Sequence, residues 1–404
     1  MIERKEYLSM LIENKDRDII KVVTGVRRCG KSTLFILYIN WLKENGVSPE
    51  QIISVNLEDL EYEDLNEYHA LYAYIKERLC LDRRNYVFID EVQNCTGFEK
   101  AVDSLFIKPN VDIYITGSNA FMLSGELATL LSGRYITVDM LPFSFKEYCH
   151  SPAAQGKARQ ECFNDYLRFG SFPYVAQLPR RDADVVPYVE GIYHTILLKD
   201  VAKREGINDI SVLESIVKTL ASSVGSPISA KKIADTLCSA GRKISVNTVD
   251  RYLRALTDSY LFYEAIRYDI KGRQHLKTLG KYYMVDTGLR NLLLAGGSAD
   301  LGHLIENVVF LELLRRRYKV NIGKLAEKEV DFVATSTDGV TYYQVAASVM
   351  DETTLKRELD PLQRINDNHP KILLTLDEIG AGANYDGIRQ YNLIDWLLNE
   401  QTGS

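Results

Sequence analysis

Val22-Val23-Thr24-Gly25-Val26-Arg27-Arg28-Cys29-Gly30-Lys31-Ser32-Thr33 is the stretch on which the fold turns. Its spacing, GxxxxGK[ST], is filled by Gly25, Gly30, Lys31 and Ser32. Ile19, Ile20, Val22 and Val23 precede it as a buried parallel strand would. Leu34, Phe35, Leu37, Tyr38, Trp41 and Leu42 follow it with the spacing of one helix face. A loop in this context wraps a phosphate chain: the glycines let the backbone approach closely, and successive N–H groups with the helix N-terminus supply positive potential. Gly25, Val26, Arg27, Arg28, Cys29, Gly30, Lys31, Ser32 and Thr33 are therefore the expected nucleotide loop. Lys31 is expected to reach the β- and γ-phosphates, and the Ser32 hydroxyl to help hold Mg²⁺. Arg27 and Arg28 lie where a guanidinium meets phosphate, a neighbouring subunit or nucleic acid. Cys29 reads as a variable position of the loop.

The chain has 404 residues, enough for two to four domains, with 46% hydrophobic and 26% charged residues and a net charge of −6. No global basic excess advertises nucleic acid. The first residues carry no apolar leader, and no apolar run is long enough to span a bilayer. Cys29, Cys80, Cys95, Cys149, Cys162 and Cys238 are scattered without a CxxC pair, as reduced thiols of a cytoplasmic protein would be. The histidines are equally dispersed, so no zinc site is argued.

Residues 1–150 alternate short apolar strands with helical stretches, the pattern of a parallel α/β sheet. Strands are expected at 19–24, 51–57, 85–90, 111–116 and 135–139. The third ends in Asp90 and Glu91 and is expected beside the P-loop strand. There Asp90 would order a ligand of Mg²⁺, and Glu91 would activate the attacking water. The fourth runs into Gly117-Ser118-Asn119, where Ser118 or Asn119 senses the γ-phosphate or the triplet is a plain turn. Arg134, just before the last strand, reads either as an arginine that stabilises phosphoryl charge, in cis or from a neighbour, or as a solvated surface residue.

Residues 151–225 are expected to form a helical lid or linker subdomain, with Gly170-Ser171-Phe172-Pro173 breaking one helix and another at 188–199. Residues 226–290 carry two helices, with Ser229 and Ser245 as N-caps, and then a strand at 261–266, the order of a winged helix. Ten basic residues, Lys277 among them, face five acidic ones between 227 and 277, an excess of five positive charges in an acidic chain. Ser245, Asn247, Thr248, Arg251 and Arg254 are where a recognition helix meets duplex DNA; packing against protein is the other reading.

In residues 291–404 a helix at 304–316 carries Glu306, and two strands joined by Asp338-Gly339 form a hairpin carrying Asp331 and Gln344. A helical acid, a strand acid and an acid-x-Lys strand resemble the PD-(D/E)XK nuclease core, whose acids hold Mg²⁺. Here Gln344 stands for the third acid and Ala346 for the lysine, so the site is degenerate. Lys356 and Arg357 are the residues within reach of the lysine's role.

GVRRCGKST, FIDEVQN, TGSNA and LSGRY, in this order, resemble bacterial and archaeal AAA+-type P-loop ATPases fused to a C-terminal nuclease-like domain. The segment 141–148 is similar to the one closing their ATPase core. The resemblance implies residues 25–33 as nucleotide loop, Asp90 and Glu91 as the Mg²⁺ and water pair, Ser118 and Asn119 as sensor, and Arg134 as arginine finger or sensor. It implies an α/β protein: a P-loop NTPase sheet, a helical lid, a winged helix and a restriction-endonuclease-like α/β domain. The leading functional expectation is an ATP-binding, Mg²⁺-dependent ATPase whose nucleotide state controls a winged-helix and nuclease-like module acting on DNA, with ATP as ligand, no membrane and a possible homo-oligomer. An ATP-regulated DNA endonuclease and a slow nucleotide-dependent scaffold for protein partners are the alternatives.

Overall fold

The computed structural model describes residues 2–120, 131, 133–276, 279–294 and 300–399. Ser132 of LSGRY and Lys277 of the basic set lie outside the described residues. The chain divides into two compact units, Met1–Leu141 with Asp258–Tyr260, and Pro142–Thr257 with Leu261–Ser404.

In the first unit the elements are α1 (Lys5–Glu13), β1 (Ile20–Thr24), α2 (Lys31–Glu44), β2 (Ile52–Asn56), α3 (Tyr68–Glu77), β3 (Asn85–Asp90), α4 (Phe98–Phe106), β4 (Val111–Gly117) and β5 (Tyr135–Asp139). The strands lie parallel in the order β2-β3-β4-β1-β5. All five stand within a residue of the expected positions, because unbroken apolar runs suit strands covered on both faces. β4 lies between β3 and β1 and pairs with both, which corrects the expectation that β3 adjoins the P-loop strand. The physical reason lies in polar residues on β4. Asp112 meets Lys21 of β1 in a fully buried ion pair, which Tyr114 extends with a 2.8 Å hydrogen bond to the carboxylate. Ile20, Val22, Val55, Val87, Ile89 and Ile115 anchor the apolar core.

The second unit begins with helices α5 (Phe145–Cys149), α6 (Arg159–Phe169), α7 (Asp182–Thr195), α8 (Ile210–Ser222), α9 (Ala230–Ser239) and α10 (Val246–Asp258). β6 (Phe262–Ala265), β7 (Arg267–Asp269), β8 (Gln274–His275), β9 (Lys281–Met284), α11 (Thr287–Leu293) and α12 (Leu301–Arg315) follow. The chain closes with β10 (Lys319–Leu325), β11 (Lys328–Ser336), β12 (Gly339–Val345), α13 (Glu352–Gln363), β13 (Lys371–Thr375), β14 (Asn384–Tyr385), β15 (Ile388–Asn392) and α14 (Leu393–Leu398). A mixed sheet runs β14-β15-β13-β12-β11-β10-β7-β8, and β6 pairs antiparallel with β9. The hairpin read at Asp338-Gly339 is present, with Ser336 opposite Gly339. Ser229 and Ser245 accept the N–H groups of Lys232 and Thr248.

The expected divisions at 150, 225 and 290 do not coincide with these units. The first unit closes at Leu141. α6 is tied to α11: Thr287 Oγ1 donates to the Tyr166 carbonyl at 3.0 Å, and Asn291 Nδ2 to that of Leu167 at 2.9 Å, so orphan carbonyls at the α6 end find partners. Gly170 follows with φ +78°, and a Cβ there would stand 2.1 Å from Asp286 Oδ1. Asp286 accepts from Ser171 N at 2.6 Å and caps α11 through Leu289 N at 3.1 Å. The strand expected at 261–266 is β6, which pairs with β9, whereas β7 and β8 join the eight-stranded sheet through β10. No described helix is long and apolar enough to cross a membrane.

Candidate functional site

β1 delivers the chain to the loop at its C-terminal end, where α2 begins at Lys31. Gly25 has φ +143°, and a Cβ there would stand 2.1 Å from the Met140 carbonyl oxygen. Gly30, the N-cap of α2, has φ +105°. Only glycine takes both positions without strain. Arg4, almost fully buried, donates to the carbonyls of Cys29 at 2.9 Å and Leu141 at 2.7 Å, and so braces the loop from behind. Lys31 curls over the loop, donating to the carbonyls of Gly25 at 3.0 Å and Val26 at 3.3 Å.

Asp90, the last residue of β3, and Glu91, the next, converge on this loop. Lys31 Nζ lies 3.7 Å from Glu91 Oε1, and the Ser32 side chain is hydrogen-bonded to Asp90. Thr116, fully buried at the end of β4, donates to Asp90, and its Oγ1 accepts the Glu91 N–H at 2.9 Å. This hydroxyl therefore holds two consecutive acids at once. Glu91 has φ +52°, a backbone state that a non-glycine residue rarely adopts and that marks over-determined positions. Gln93 donates to Glu91, and it lies 3.4 Å from Ser118 Oγ. Ser118, beside that pair, and Asn119, next along the chain, are both buried.

The two carboxyls are shifted in opposite directions. Burial pushes Asp90 above the ordinary aspartate range, against the Ser32 and Thr116 hydrogen bonds. Burial acts the same way on Glu91, but Lys31, the Gln93 hydrogen bond and Arg27 outweigh it and hold that carboxyl below its ordinary range. Burial also raises the Cys29 thiol, which keeps it neutral. Arg28 is exposed, with φ +70°, and Arg27 pairs with Glu58 at 2.9 Å. Val26 is buried and Thr33 half-buried.

Arg134 is not part of this constellation. Its carbonyl accepts the Ile20 N–H at the start of β1, whereas the loop leaves the far end of that strand. Five strand residues separate the two by about 16 Å. Its guanidinium is bound to Asp103 at 2.7 Å. A catalytic role in cis is thereby corrected: the segment before β5 lies at the N-terminal edge of the sheet, opposite the phosphate loop. Thr116, Gln93, Arg4 and Glu58 are the supporting residues that sequence reading missed. Gln93 and Thr116 were within the quoted motifs, but a hydroxyl spanning two acids is a tertiary fact with no spacing of its own.

Residues 17–149 match the family described as an AAA domain, and residues 160–300 match a domain of unknown function. An uncharacterized protein of Haemophilus influenzae is 40% identical over 401 residues, across 98% of this chain and 99% of its own. One from Methanocaldococcus jannaschii is 30% identical over 377 residues, across 88% of this chain and 79% of its own. The chain belongs to this family of AAA-domain proteins. Among solved structures, the Walker-type ATPase of Pyrococcus abyssi is similar in fold, with TM-score 0.52 at 15% identity over 73% of this chain and 96% of that one. The first unit is accordingly an AAA-type P-loop ATPase domain.

The second unit of this AAA-family chain holds the other expected cluster. Glu306 of α12, Asp331 of β11 and Gln344 of β12 line one pocket of about 440 Å³ with Glu358 of α13. Gln344 donates to Glu358 at 2.9 Å and accepts the Asp331 N–H at 3.3 Å, while Asp331 accepts the Val345 N–H at 2.8 Å. A cation does reach these acids, and it is Lys281 of β9. It lies 3.1 Å from Glu306 and 2.8 Å from Glu329, and Tyr283 donates to Glu306 at 2.6 Å. Of the two basic residues expected near this site, Arg357 also lines the pocket and pairs with Glu358 at 2.9 Å, whereas Lys356 pairs with Glu352 outside it. Asp331 keeps some exposed surface, yet the atoms packed round its carboxyl, with Glu306 nearby, push it well above the ordinary range against Lys281 and the Val345 hydrogen bond. Among the described residues no His, Cys, Asp and Glu group is placed to hold a metal ion.

Proposed function

We propose that this chain binds ATP with Mg²⁺ and hydrolyses it, and that nucleotide state governs the second unit, with DNA as that unit's partner. The convergence of Lys31, Ser32, Asp90, Glu91 and Thr116 on one loop carries the reading. Ser32 and Asp90 offer adjacent hard oxygens, which suit Mg²⁺ when phosphate and water complete its shell. Bound there, Mg²⁺ would supply charge neutralisation at the phosphates.

Lys31 is held by two loop carbonyls and Glu91, and a polyphosphate offers it a stronger partner. As Lys31 turns to the phosphates, Glu91 loses the cation that lowers its proton affinity. Its carboxylate then becomes a better base for the attacking water. Thr116 keeps Glu91 aligned during this exchange, and Ser118 and Asn119, buried past the end of β4, serve as sensors of the γ-phosphate. Arg134 serves catalysis only from a neighbouring copy, in a homo-oligomer.

In the second unit, α9, α10, β6 and β9 follow the order of a winged helix, and α10 exposes Asn247, Arg251 and Arg254. These residues support duplex DNA as partner. The endonuclease reading gains little support, because Lys281 already neutralises Glu306 and a glutamine replaces an acid.

Steady-state ATP turnover and nucleotide binding test the reading. Lys31→Ala is expected to lose binding. Glu91→Gln is expected to keep it while turnover falls about 10²- to 10⁴-fold, the range of a general base. Unchanged turnover in Glu91→Gln would remove it from the base role. Duplex DNA should raise turnover, and Arg251→Glu with Arg254→Glu should cancel the rise.

A further inference from the structure

A groove of about 950 Å³ lies over the eight-stranded sheet, flanked by the β7–β8 turn and the chain leaving α13. Ile270, Val333, Val340 and Ile365 contribute an apolar floor. Cations contribute the rim: Lys271 and Arg273 on the β7–β8 turn, Lys319 at the start of β10, and Arg364 just past α13. Arg364 is paired with Asp360 at 2.8 Å. Lys271, Arg273 and Lys319 are exposed, and their side chains have no carboxylate partner among the described residues. Asp367, the carboxylate among the lining residues, is already engaged by the Tyr342 hydroxyl at 2.7 Å and by Lys371 at 3.7 Å. Exposed imidazoles complete the wall, with His275 5.4 Å from the Tyr268 ring and His369 6.3 Å from the Tyr342 ring.

A solitary surface lysine needs no ligand. Three unpaired cations round one apolar concavity, with flat rings in its wall, have the chemistry of a site for an anion that carries a planar apolar body. Nucleotides have that form. A duplex presents its phosphates outside and stacks its bases within, so it cannot fill an apolar floor behind a cationic rim. An unpaired base can. The volume is at the upper end of small-molecule pockets, which run to about 1,000 Å³, so more than one nucleotide has room.

We propose that this groove binds single-stranded nucleic acid, with phosphates at Lys271, Arg273 and Lys319 and bases on the floor beside His275 and His369. The β7–β8 turn is a wall of the groove because β7 pairs with β10 and so extends the eight-stranded sheet. The site does not depend on the ATPase reading.

The test is fluorescence anisotropy of the full chain, without nucleotide, on labelled oligothymidylate of about 16 residues, at the long end of known single-strand footprints. Saturable binding is expected, weakening as salt rises. Arg273→Glu with Lys319→Glu should lower affinity at least about tenfold and flatten the log–log salt slope by about 1.4, at ~0.7 for each lost phosphate contact. Both residues are exposed, so far-ultraviolet circular dichroism and ATP turnover should stay unchanged. Arg251→Glu with Arg254→Glu should leave the binding intact. The proposal is overturned by absence of saturable binding, by unchanged affinity in the groove variant, by an equal loss in the α10 variant, or by duplex competing as well as the single strand. Each of these outcomes leaves the ATPase reading standing.

Discussion

Gly25 is the residue at which the P-loop tolerates no side chain. Its φ of +143° strains any L-residue, and the Met140 carbonyl oxygen stands where a Cβ would be. Gly25→Ala should therefore cost about 3 kcal/mol of stability, at the top of the range for strained backbone positions, and abolish nucleotide binding. Urea midpoints paired with binding titrations check both. Asp331 makes a prediction with a sign. Burial and Glu306 raise its carboxyl, so the folded chain holds a proton that the unfolded chain releases near pH 4. The native state is then favoured below that pH and loses stability as pH climbs towards the folded value. Asp331→Asn copies the protonated form. Its urea midpoint should gain on the parent protein's as pH rises from 4, and parallel curves would show that Asp331 is ionised in the native state.

At the scale of elements, the position of β4 decides how the site is built. Because β4 separates β3 from β1, Thr116 stands between the acids and the loop and bonds both Asp90 and Glu91. Thr116→Val keeps the shape and removes the hydroxyl. Stability should fall by about 1–3 kcal/mol, the cost of leaving buried polar groups unsatisfied. ATP turnover should fall about tenfold, equivalent to ~1.4 kcal/mol, as Glu91 loses its alignment. ATP affinity should hold, and a matching loss of affinity would mean that Thr116 shapes the loop instead. The same element separates what the sequence made legible from what it did not. The five strands, the P-loop and the acid pair stand in short local patterns, where hydrophobic runs and glycine spacing report directly on backbone state. Strand order, the bridging hydroxyl, the remote placement of Arg134 and the arrival of Lys281 beside Glu306 are long-range pairings. Lys281 sits on a strand assigned by sequence to a different domain, and no spacing marks it as a partner of an acid on α12.

For the whole molecule, the two units each bury an apolar core of their own, one round Ile20, Val55, Val87 and Ile115, the other including Val330, Val333, Leu362 and Leu373. Neither unit is one continuous segment, since Asp258–Tyr260 belongs with the first. A three-residue return to another core leaves no compositional mark, so the sequence carries no sign of it. Separate cores predict separate responses to ligand. A nucleotide bound at Lys31 and Ser32 stabilises the native first unit by about 2.7 kcal/mol at a hundredfold excess over its Kd. Native-state hydrogen exchange should therefore slow by roughly a hundredfold, the same free energy, at the amides of β1, β3 and β4 that open with that unit. The amides of β11, β12 and β13 should exchange at their former rates, and Lys31→Ala should erase the difference. Equal slowing in both sheets would mean that the chain opens as one cooperative block. Nucleotide state would then reach the second unit through shared stability, with no need of a separate moving element.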